Sequence, residues 1–353
     1  MQPQDLAVPN IDDVALAAGV STATVSRVLN QSGVVSERLR LRVNKAVAQL
    51  GYVPHAGARA LMLRRSGTVG AVFPTIDNAI FAKAIDALQR QLADSGLQLL
   101  IATSGYDLES EARQAMNLVT RGADALALCG VGQSPQLLHF LRQRALPTVH
   151  VMSFPAPPNM VCVGFDNARA ISQAVRYLLD LGHRRVAMLA GMTACNDRAA
   201  ARVHGVRQAL QSAGLDLPTH RLVERPYTLA DAREGFRTLM AAQPEAAQTP
   251  TSDAAPTAIL CGNDVLAYGA LLEARKMGIA VPKALSVIGF DDLEMSRHIH
   301  PTLTTLHVPT EAMWRAAADR LVAALEPRPV TMATEVEVEL VVRESTGPVP
   351  RGG

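Results

Sequence analysis

The 353-residue chain is poor in aromatic residues and carries no mark of secretion or membrane insertion. Only 4% of its residues are aromatic, while 48% are hydrophobic and 19% are charged, which is typical of a globular protein with an aliphatic core. The amino terminus lacks a basic start followed by an apolar stretch, and no apolar run approaches the roughly 18 residues that a membrane span needs. We therefore expect a cytoplasmic protein that makes no membrane contact.

Cysteine is also scarce, and its spacing excludes the usual metal and disulfide frameworks. The four cysteines are Cys129, Cys162, Cys195 and Cys261. They form no CxxC pair and have no histidine cluster nearby, both of which are marks of zinc sites. We expect buried, reduced thiols and no bound metal.

The common catalytic motifs are missing as well. The chain has no GxxxxGK[ST], GxSxG or HExxH string, and the nearest approach to a dinucleotide motif is CGVGQSP at 129–135, which lacks the third glycine. The sequence therefore predicts no enzymatic activity, no catalytic residue and no cofactor.

The charge of the chain is distributed unevenly. Residues 1–65 hold eight Lys/Arg against four Asp/Glu, whereas the remainder holds 26 against 28. A small basic head on a mildly acidic body fits a phosphate-binding module joined to a neutral sensor, although basic heads of this size are common.

The basic head has the spacing of a helix-turn-helix within residues 11–30. Ala15 is small where two helices must approach, Gly19 sits at the turn, and Ser21 can cap the second helix. The shared core is predicted to consist of Val14, Val25 and Val28. A third helix is predicted from about residue 36 to residue 50. The spacing alone leaves an ordinary helical hairpin as the alternative.

From residue 66 onward, short β-rich runs alternate with amphipathic helices that end at glycine. This alternation is typical of βαβ units and parallel sheets. The predicted strands are VGAVFP, LQLLIAT, ADALALCG and LPTVHVM, then RRVAMLAG, a strand near 220–226, TAILCGND and LSVIGFDD. Two doubly wound α/β halves are predicted, with residues 241–255 as a solvated loop.

Several strings resemble the lactose/galactose repressor (LacI/GalR) family in the family's own order. They are IDDVALAAGVSTATVSRVLN, VSERLRLRVNKAVAQLGYVPHAGARAL, GHRRVAMLAG, CGNDVLAYGALLEARKMGIAVP, LSVIGFDD, HPTLTTLHVP and VVREST. VGFDNARA at 163–170 resembles the gluconate-repressor branch. The resemblance implies a sequence-specific DNA-binding transcriptional repressor of carbohydrate or sugar-acid utilisation genes, controlled by a small metabolite.

The resemblance also implies a domain plan. It places a small all-α helix-turn-helix head at 1–53 and a hinge helix at 54–65. An effector-binding and dimerisation domain at 66–345 follows, like a periplasmic binding protein, and residues 346–353 form a tail. That domain has two α/β subdomains, at about 66–165 and 166–296, with crossing strands between them.

Roles in DNA binding carry over to matching positions. Thr22, Ala23 and Arg27 match positions that read base edges, and Arg27 suits a bidentate contact to guanine, with a phosphate contact as the alternative. The positions that match phosphate contacts are Ser21, Thr24 and Asn30. Further phosphate contacts are expected from Arg38, Arg40, Arg42, Lys45, Arg64 and Arg65.

The hinge matches a segment that inserts a leucine into the minor groove. Leu61 is that leucine here, and a buried core leucine is the alternative. Arg59 beside it is expected to meet the DNA backbone.

Effector-binding positions carry over to four residues, Phe81, Arg202, Asn263 and Asp291, with Asp77 or Asn78 reaching the cleft mouth. Asn263 as a helix cap, Asp291 as a turn residue and Phe81 as plain core are the alternatives. Met152 stands where a family member uses a carboxylate, so the cleft has fewer acids. A sugar acid such as gluconate, held by Arg202, is therefore favoured, while a purine, a neutral sugar or a phosphorylated sugar stays open.

One helix-turn-helix reads only half of a palindromic operator, so a homodimer is expected. A periplasmic sugar-binding protein is the rival interpretation of the body. The helix-turn-helix head and the absence of a signal peptide in this sequence both oppose it.

Overall fold

The computed structural model describes residues 9–29, 33, 35–53, 65–241, 255–326 and 328–350. The chain divides between Ser66 and Gly67 into two compact units, a head and a body. Most of the predicted hinge helix lies outside the described residues. So do four of the predicted DNA-contacting residues, Asn30, Arg59, Leu61 and Arg64.

The described part of the head contains three short helices, α1 (Ile11–Ala18), α2 (Thr22–Leu29) and α3 (Glu37–Leu50). Asn10 caps α1 by accepting from the backbone N–H groups of Asp12 and Asp13 at 2.7 and 3.1 Å, and the Asp13 carboxylate accepts from the Asn10 N–H at 2.8 Å. This reciprocal capping satisfies amides that the first helical turn leaves unpaired. Gly19 ends the helix at φ 60°, a left-handed conformation that suits glycine.

Apolar side chains from all three helices form the core of the head. Its fully or almost fully buried members are Val14, Ala15, Ala18, Val25, Val28, Val43, Ala46 and Tyr52. The predicted core valines are among them, and Ala15 lies in the core as its small size predicts. A helix-turn-helix packed on a third helix is therefore the architecture of this unit.

One part of the body is a six-stranded parallel sheet. Its strands are β1 (Thr68–Phe73), β2 (Gln98–Thr103), β3 (Ala125–Cys129), β4 (Thr148–Val151), β5 (Val161–Gly164) and β11 (Ala333–Glu335). They lie in the order β11-β5-β4-β3-β1-β2. Its helices are α4 (Ala79–Asp94), α5 (Leu108–Thr120), α6 (Pro135–Gln143) and α11 (Thr310–Leu325). Apolar residues of α4 and α11 belong to one cluster and those of α5 and α6 to another, so both faces of the sheet are covered.

A second parallel sheet has the order β7-β6-β8-β9. Its strands are β6 (Val186–Gly191), β7 (Leu222–Arg225), β8 (Ala258–Cys261) and β9 (Ser286–Ile288). Its helices are α7 (Asn167–Asp180), α8 (Asp197–Gln211), α9 (Leu229–Ala241) and α10 (Asp264–Lys276). The predicted pair of doubly wound α/β halves is confirmed, and we call them the first and second subdomains.

Within the described residues, the chain passes between the subdomains three times. It leaves the first after β5 and returns after β9 through β10 (Thr305–His307). It then leaves again after β11 through β12 (Glu339–Val341), which pairs with β10 in an antiparallel ribbon. Helix α11 and strand β11 thus belong to the first subdomain, although the domain plan taken from the resemblance ends that subdomain at about residue 165.

The end of the described chain packs against the second subdomain. The Ser345 carbonyl accepts from Val287 N–H at 2.9 Å, and the Gly347 N–H donates to Ser286 Oγ at 3.1 Å. Thr346, which the sequence assigns to a tail, is only 9% exposed. Residues 346–350 are therefore part of the folded body.

Asp264, at the start of α10, is a buried anchor for the returning chain. Its carboxylate accepts from Thr305 Oγ1 at 2.5 Å and from Ser296 Oγ and Leu293 N at 2.7 Å. The side chain is fully buried, so these three donors share one charged acceptor in a low-dielectric interior.

We predict that Asp264→Ala lowers the free energy of unfolding by at least about 3 kcal/mol, because it leaves buried donors without an acceptor. Urea unfolding followed by circular dichroism measures this loss. Asp86→Ala is the control, since Asp86 makes only an exposed ion pair with Arg90 and is expected to cost less than about 1 kcal/mol. A loss for Asp264→Ala no larger than that of the control contradicts the prediction.

Candidate functional site: a DNA-binding face and an interdomain cleft

Helix α2 separates its residues into a buried and an exposed side. Val25 and Val28 point into the core, whereas Thr22, Ala23 and Arg27 are exposed. These three are the residues that the sequence predicts to read base edges. They lie one to five residues apart on one short helix, which is the arrangement a recognition helix needs.

Ser21 and Thr24 stabilise the start of that helix. Ser21 Oγ accepts from the Thr24 N–H at 3.2 Å and lies 3.0 Å from Thr24 Oγ1. Both hydroxyls therefore take part in a helix cap. They can keep this role while contacting phosphate, because a hydroxyl oxygen can accept one hydrogen bond and donate another.

Among the cations of α3, Arg42 differs from its neighbours. Its Nη2 donates to the carbonyls of Ala18 and Gly19 at 2.5 and 3.2 Å, across the helix-turn-helix turn. These bonds use only one nitrogen of the exposed guanidinium, so contact between Arg42 and phosphate stays a prediction. Arg38, Arg40 and Lys45 are exposed.

In the body, all four predicted effector-binding residues line one cavity between the subdomains. Its lining is Asn78, Ile80, Phe81, Tyr106, Met152, Asn196, Arg198, Arg202, Tyr227, Asn263 and Asp291. The first five belong to the first subdomain and the other six to the second. Of the two residues expected at the mouth, Asn78 lines the cavity, whereas Asp77 is exposed and does not. The cavity volume is about 30 Å³, room for no more than about two water molecules.

Arg202 on α8 is the centre of the second subdomain's wall. It is 5% exposed, donates from Nε to Asn167 Oδ1 at 2.9 Å and from Nη1 to the Gly262 carbonyl at 2.6 Å, and lies 3.6 Å above the Phe290 ring centroid. Both acceptors are neutral. In the described part of the chain, no carboxylate lies within ion-pairing distance of this guanidinium.

The other predicted residues combine a structural contact with a place in the cavity wall. Asn263 Oδ1 caps α10 by accepting from Leu266 N at 2.9 Å, and this cap uses only the oxygen of the amide. Phe81 packs edge-on against Phe73 with ring centroids 5.9 Å apart. Both alternatives raised by the sequence, cap and core, are thus true of residues that also face the cavity.

Five residues of the wall are absent from the sequence-based prediction: Ile80, Tyr106, Asn196, Arg198 and Tyr227. Arg198 precedes Arg202 by one helical turn, so the spacing already places both on one face of α8. The tyrosines lie 121 positions apart in the chain, yet their ring centroids are 5.9 Å apart. No local sequence pattern predicts that these two tyrosines are in contact.

Comparison with known proteins assigns both units. Residues 10–55 match bacterial regulatory proteins of the lacI family, and residues 175–346 match a periplasmic binding protein-like domain. The HTH-type transcriptional regulator GntR of Pseudomonas aeruginosa is 34% identical over 340 residues, which cover 96% of either chain. The chain belongs to the LacI family. It is a DNA-binding transcriptional repressor, and its homologues are regulators rather than enzymes.

Two further LacI-family members span the chain equally well. The HTH-type transcriptional repressor PurR of Klebsiella pneumoniae is 30% identical over 343 residues, 96% of this chain and 97% of its own. A lac repressor dimer bound to operator and an anti-inducer shares the fold with a TM-score of 0.82 at 24% identity, over 96% of this chain and 99% of that one.

Within the LacI-family cleft, two neighbouring carboxyls have opposite environments. Burial raises the pKa of Asp291 to about 8, although Arg202 acts against the shift. Asp292 is also buried, which alone would raise its pKa. Bonds from Arg343, Arg297 and His307 at 2.5 to 3.0 Å outweigh this and lower the pKa. Asp292 therefore ties the crossing segments together as an anion, whereas Asp291 faces the cavity as a neutral acid at pH 7.

No described helix of this repressor combines the length and hydropathy that crossing a bilayer requires. Within the same described ranges, no three acidic, histidine or cysteine side chains are grouped as metal ligands would be.

We predict that the wild-type protein loses stability relative to Asp291→Asn as the pH rises from 5 to 8. The folded state keeps the Asp291 proton up to about pH 8, while the unfolded chain releases it near pH 4, so unfolding releases a proton throughout this window. The stability difference should change by up to about 1.4 kcal/mol per pH unit. Urea unfolding of both proteins at several pH values measures it, and a pH-independent difference contradicts it.

Proposed function

We propose that this LacI-family repressor acts in the cytoplasm as a homodimer that reads a palindromic operator and releases or holds it in response to a sugar acid such as gluconate. A two-fold dimer presents two α2 helices to two half-sites, as a palindrome requires. The lac repressor that shares its fold is a dimer on its operator. The sign of the response follows from whichever conformation the effector binds better.

The buried charge of Arg202 carries the proposal of an anionic effector. A buried guanidinium needs a counter-charge, yet its acceptors here are the neutral Asn167 amide and the Gly262 carbonyl. The nearby Asp291 keeps its proton at pH 7. A ligand carboxylate would supply the missing charge, and its hydroxyls would find the Asn263 amide and the Asp291 carboxyl as partners.

The cavity between the subdomains supports a response that involves movement. A six-carbon sugar acid does not fit into about 30 Å³, so its entry needs the subdomains to separate. A change in their relative position is the kind of event that alters operator affinity, and typical coupling free energies of about 1–3 kcal/mol correspond to about 5- to 150-fold.

On the DNA side, we predict that Arg27→Ala relaxes operator specificity at one symmetric base pair. Removing a bidentate bond to guanine should cost about 1–3 kcal/mol in each half-site. Fluorescence anisotropy with operator duplexes substituted at single base pairs measures the effect. Arg38→Ala is the comparison, since an exposed cation on α3 that contacts phosphate should weaken binding to all duplexes equally and reduce the salt dependence. Equal weakening by Arg27→Ala on every duplex would make Arg27 a phosphate contact as well.

On the effector side, we predict that calorimetry shows gluconate binding at least about tenfold more tightly than glucose, because only gluconate forms a charge-assisted bond with Arg202. Arg202→Met should remove most of this preference while operator binding without ligand persists. Arg207→Ala, on the exposed side of the same helix, is the control and should leave the preference for gluconate over glucose unchanged. Equal binding of glucose, or tight binding of hypoxanthine or glucose 6-phosphate instead, refutes the sugar-acid proposal.

A further inference from the structure

We propose that the Asp197 carboxylate acts as a clasp. It hydrogen-bonds across the cleft to the glycine-rich loop at 130–132, and its bonds across the cleft must break before an effector can enter. Asp197 begins α8 in the second subdomain, while the loop follows β3 in the first. The effector need not be a sugar acid for this clasp to exist, because the contacts are made within the protein.

Three donors converge on the Asp197 carboxylate, and two of them come from the opposite subdomain. Oδ2 accepts from the backbone N–H of Val131 at 2.9 Å and from Ser153 Oγ at 2.8 Å, both in the first subdomain. Oδ1 pairs with Arg198 Nη1 at 3.0 Å. Hydrogen bonds to an ionised acceptor are roughly twice as strong as neutral ones, so few contacts suffice to hold the two sides together.

The loop is shaped to admit this carboxylate. Gly130 has φ 80°, and a Cβ there would overlap both the Asp197 carboxylate and the Arg198 guanidinium. A Cβ on Gly132 would lie 3.3 Å from the Asp197 Cβ. The string CGVGQSP, which fails as a dinucleotide motif, thus has glycines at two positions where the opposite subdomain comes close to the backbone.

Charge explains why the clasp can both hold and release. Arg198 is 7% exposed, so its charge depends on the carboxylate beside it. The Asp197 side chain keeps 24% of its surface exposed, so water can replace Val131 and Ser153 as its partners when the subdomains part. The Arg198 pair stays within the second subdomain during that exchange, and only the two cross-cleft bonds break.

Hydrogen exchange of the effector-free full-length protein tests the clasp directly. In Asp197→Asn, amide exchange of the peptide spanning 129–135 should become about tenfold faster by mass spectrometry, because the charge-assisted bond to the Val131 N–H is weakened. Ser153→Ala should accelerate amide exchange of the same peptide while leaving the ion pair between Asp197 and Arg198 intact. This variant therefore tests the clasp even if Asp197→Asn folds poorly.

Asp231→Asn is the matched control. Asp231 is an acid in the first turn of α9 in the same subdomain, but its carboxylate bonds only within its own turn, to Thr228. Exchange at 129–135 should not change in this variant. Unchanged exchange in both Asp197→Asn and Ser153→Ala, or equal acceleration in Asp231→Asn, overturns the clasp.

Entry of a ligand gives a second readout. If opening limits access to the cleft, the association rate constant of gluconate in stopped-flow fluorescence should rise about tenfold in Asp197→Asn, in proportion to the open fraction. An unchanged rate with faster hydrogen exchange overturns the gating part of the proposal. Failure of gluconate to bind the wild type at all refutes the sugar-acid effector instead, and the exchange experiment still decides the clasp.

Discussion

The arrangement of the cleft depends on one buried guanidinium. Arg202 reaches from α8 to the carbonyl of Gly262 after β8, to Asn167 at the start of α7 and onto the ring of Phe290 after β9. A charge is stable in a protein interior only when polar groups surround it. The fold meets this need with neutral acceptors at the cavity wall, and this is the observation on which the proposal of an anionic effector rests.

Asp291 and Asp292, which follow β9, have identical side chains but different surroundings and different roles. Asp292 meets Arg343, Arg297 and His307 and stays ionised, so it fastens the crossing segments. Asp291 meets the cavity and keeps a proton, so it can donate to a ligand oxygen. Its φ of 114° is rare outside glycine, and backbone strain of this kind is common where a binding site needs a side chain aimed in one direction.

In the proposed mechanism the cleft opens and closes while each subdomain stays folded. Each subdomain has its own parallel sheet packed with helices, and one apolar cluster includes residues of both subdomains. The cross-cleft contacts of Asp197 are polar and its side chain is partly exposed, so in the proposed mechanism water takes the place of Val131 and Ser153 when the cleft opens. A small shift in that exchange is enough to bias a two-state equilibrium.

By itself, the sequence determined what depends on neighbours in the chain: the turn at Gly19, the cap at Ser21, the helix-turn-helix, and the long buried strands, whose apolar runs are visible in the sequence. It also determined the family, and with it Arg202, Asn263 and Asp291. Only the tertiary structure decided that α11 and three-residue strands such as β11 return to the first subdomain, and that Arg42 fastens a turn. It alone brought together the tyrosine pair and the contacts of Asp197 with Val131 and Ser153, because those contacts join residues that are distant in the chain, and no local periodicity encodes them.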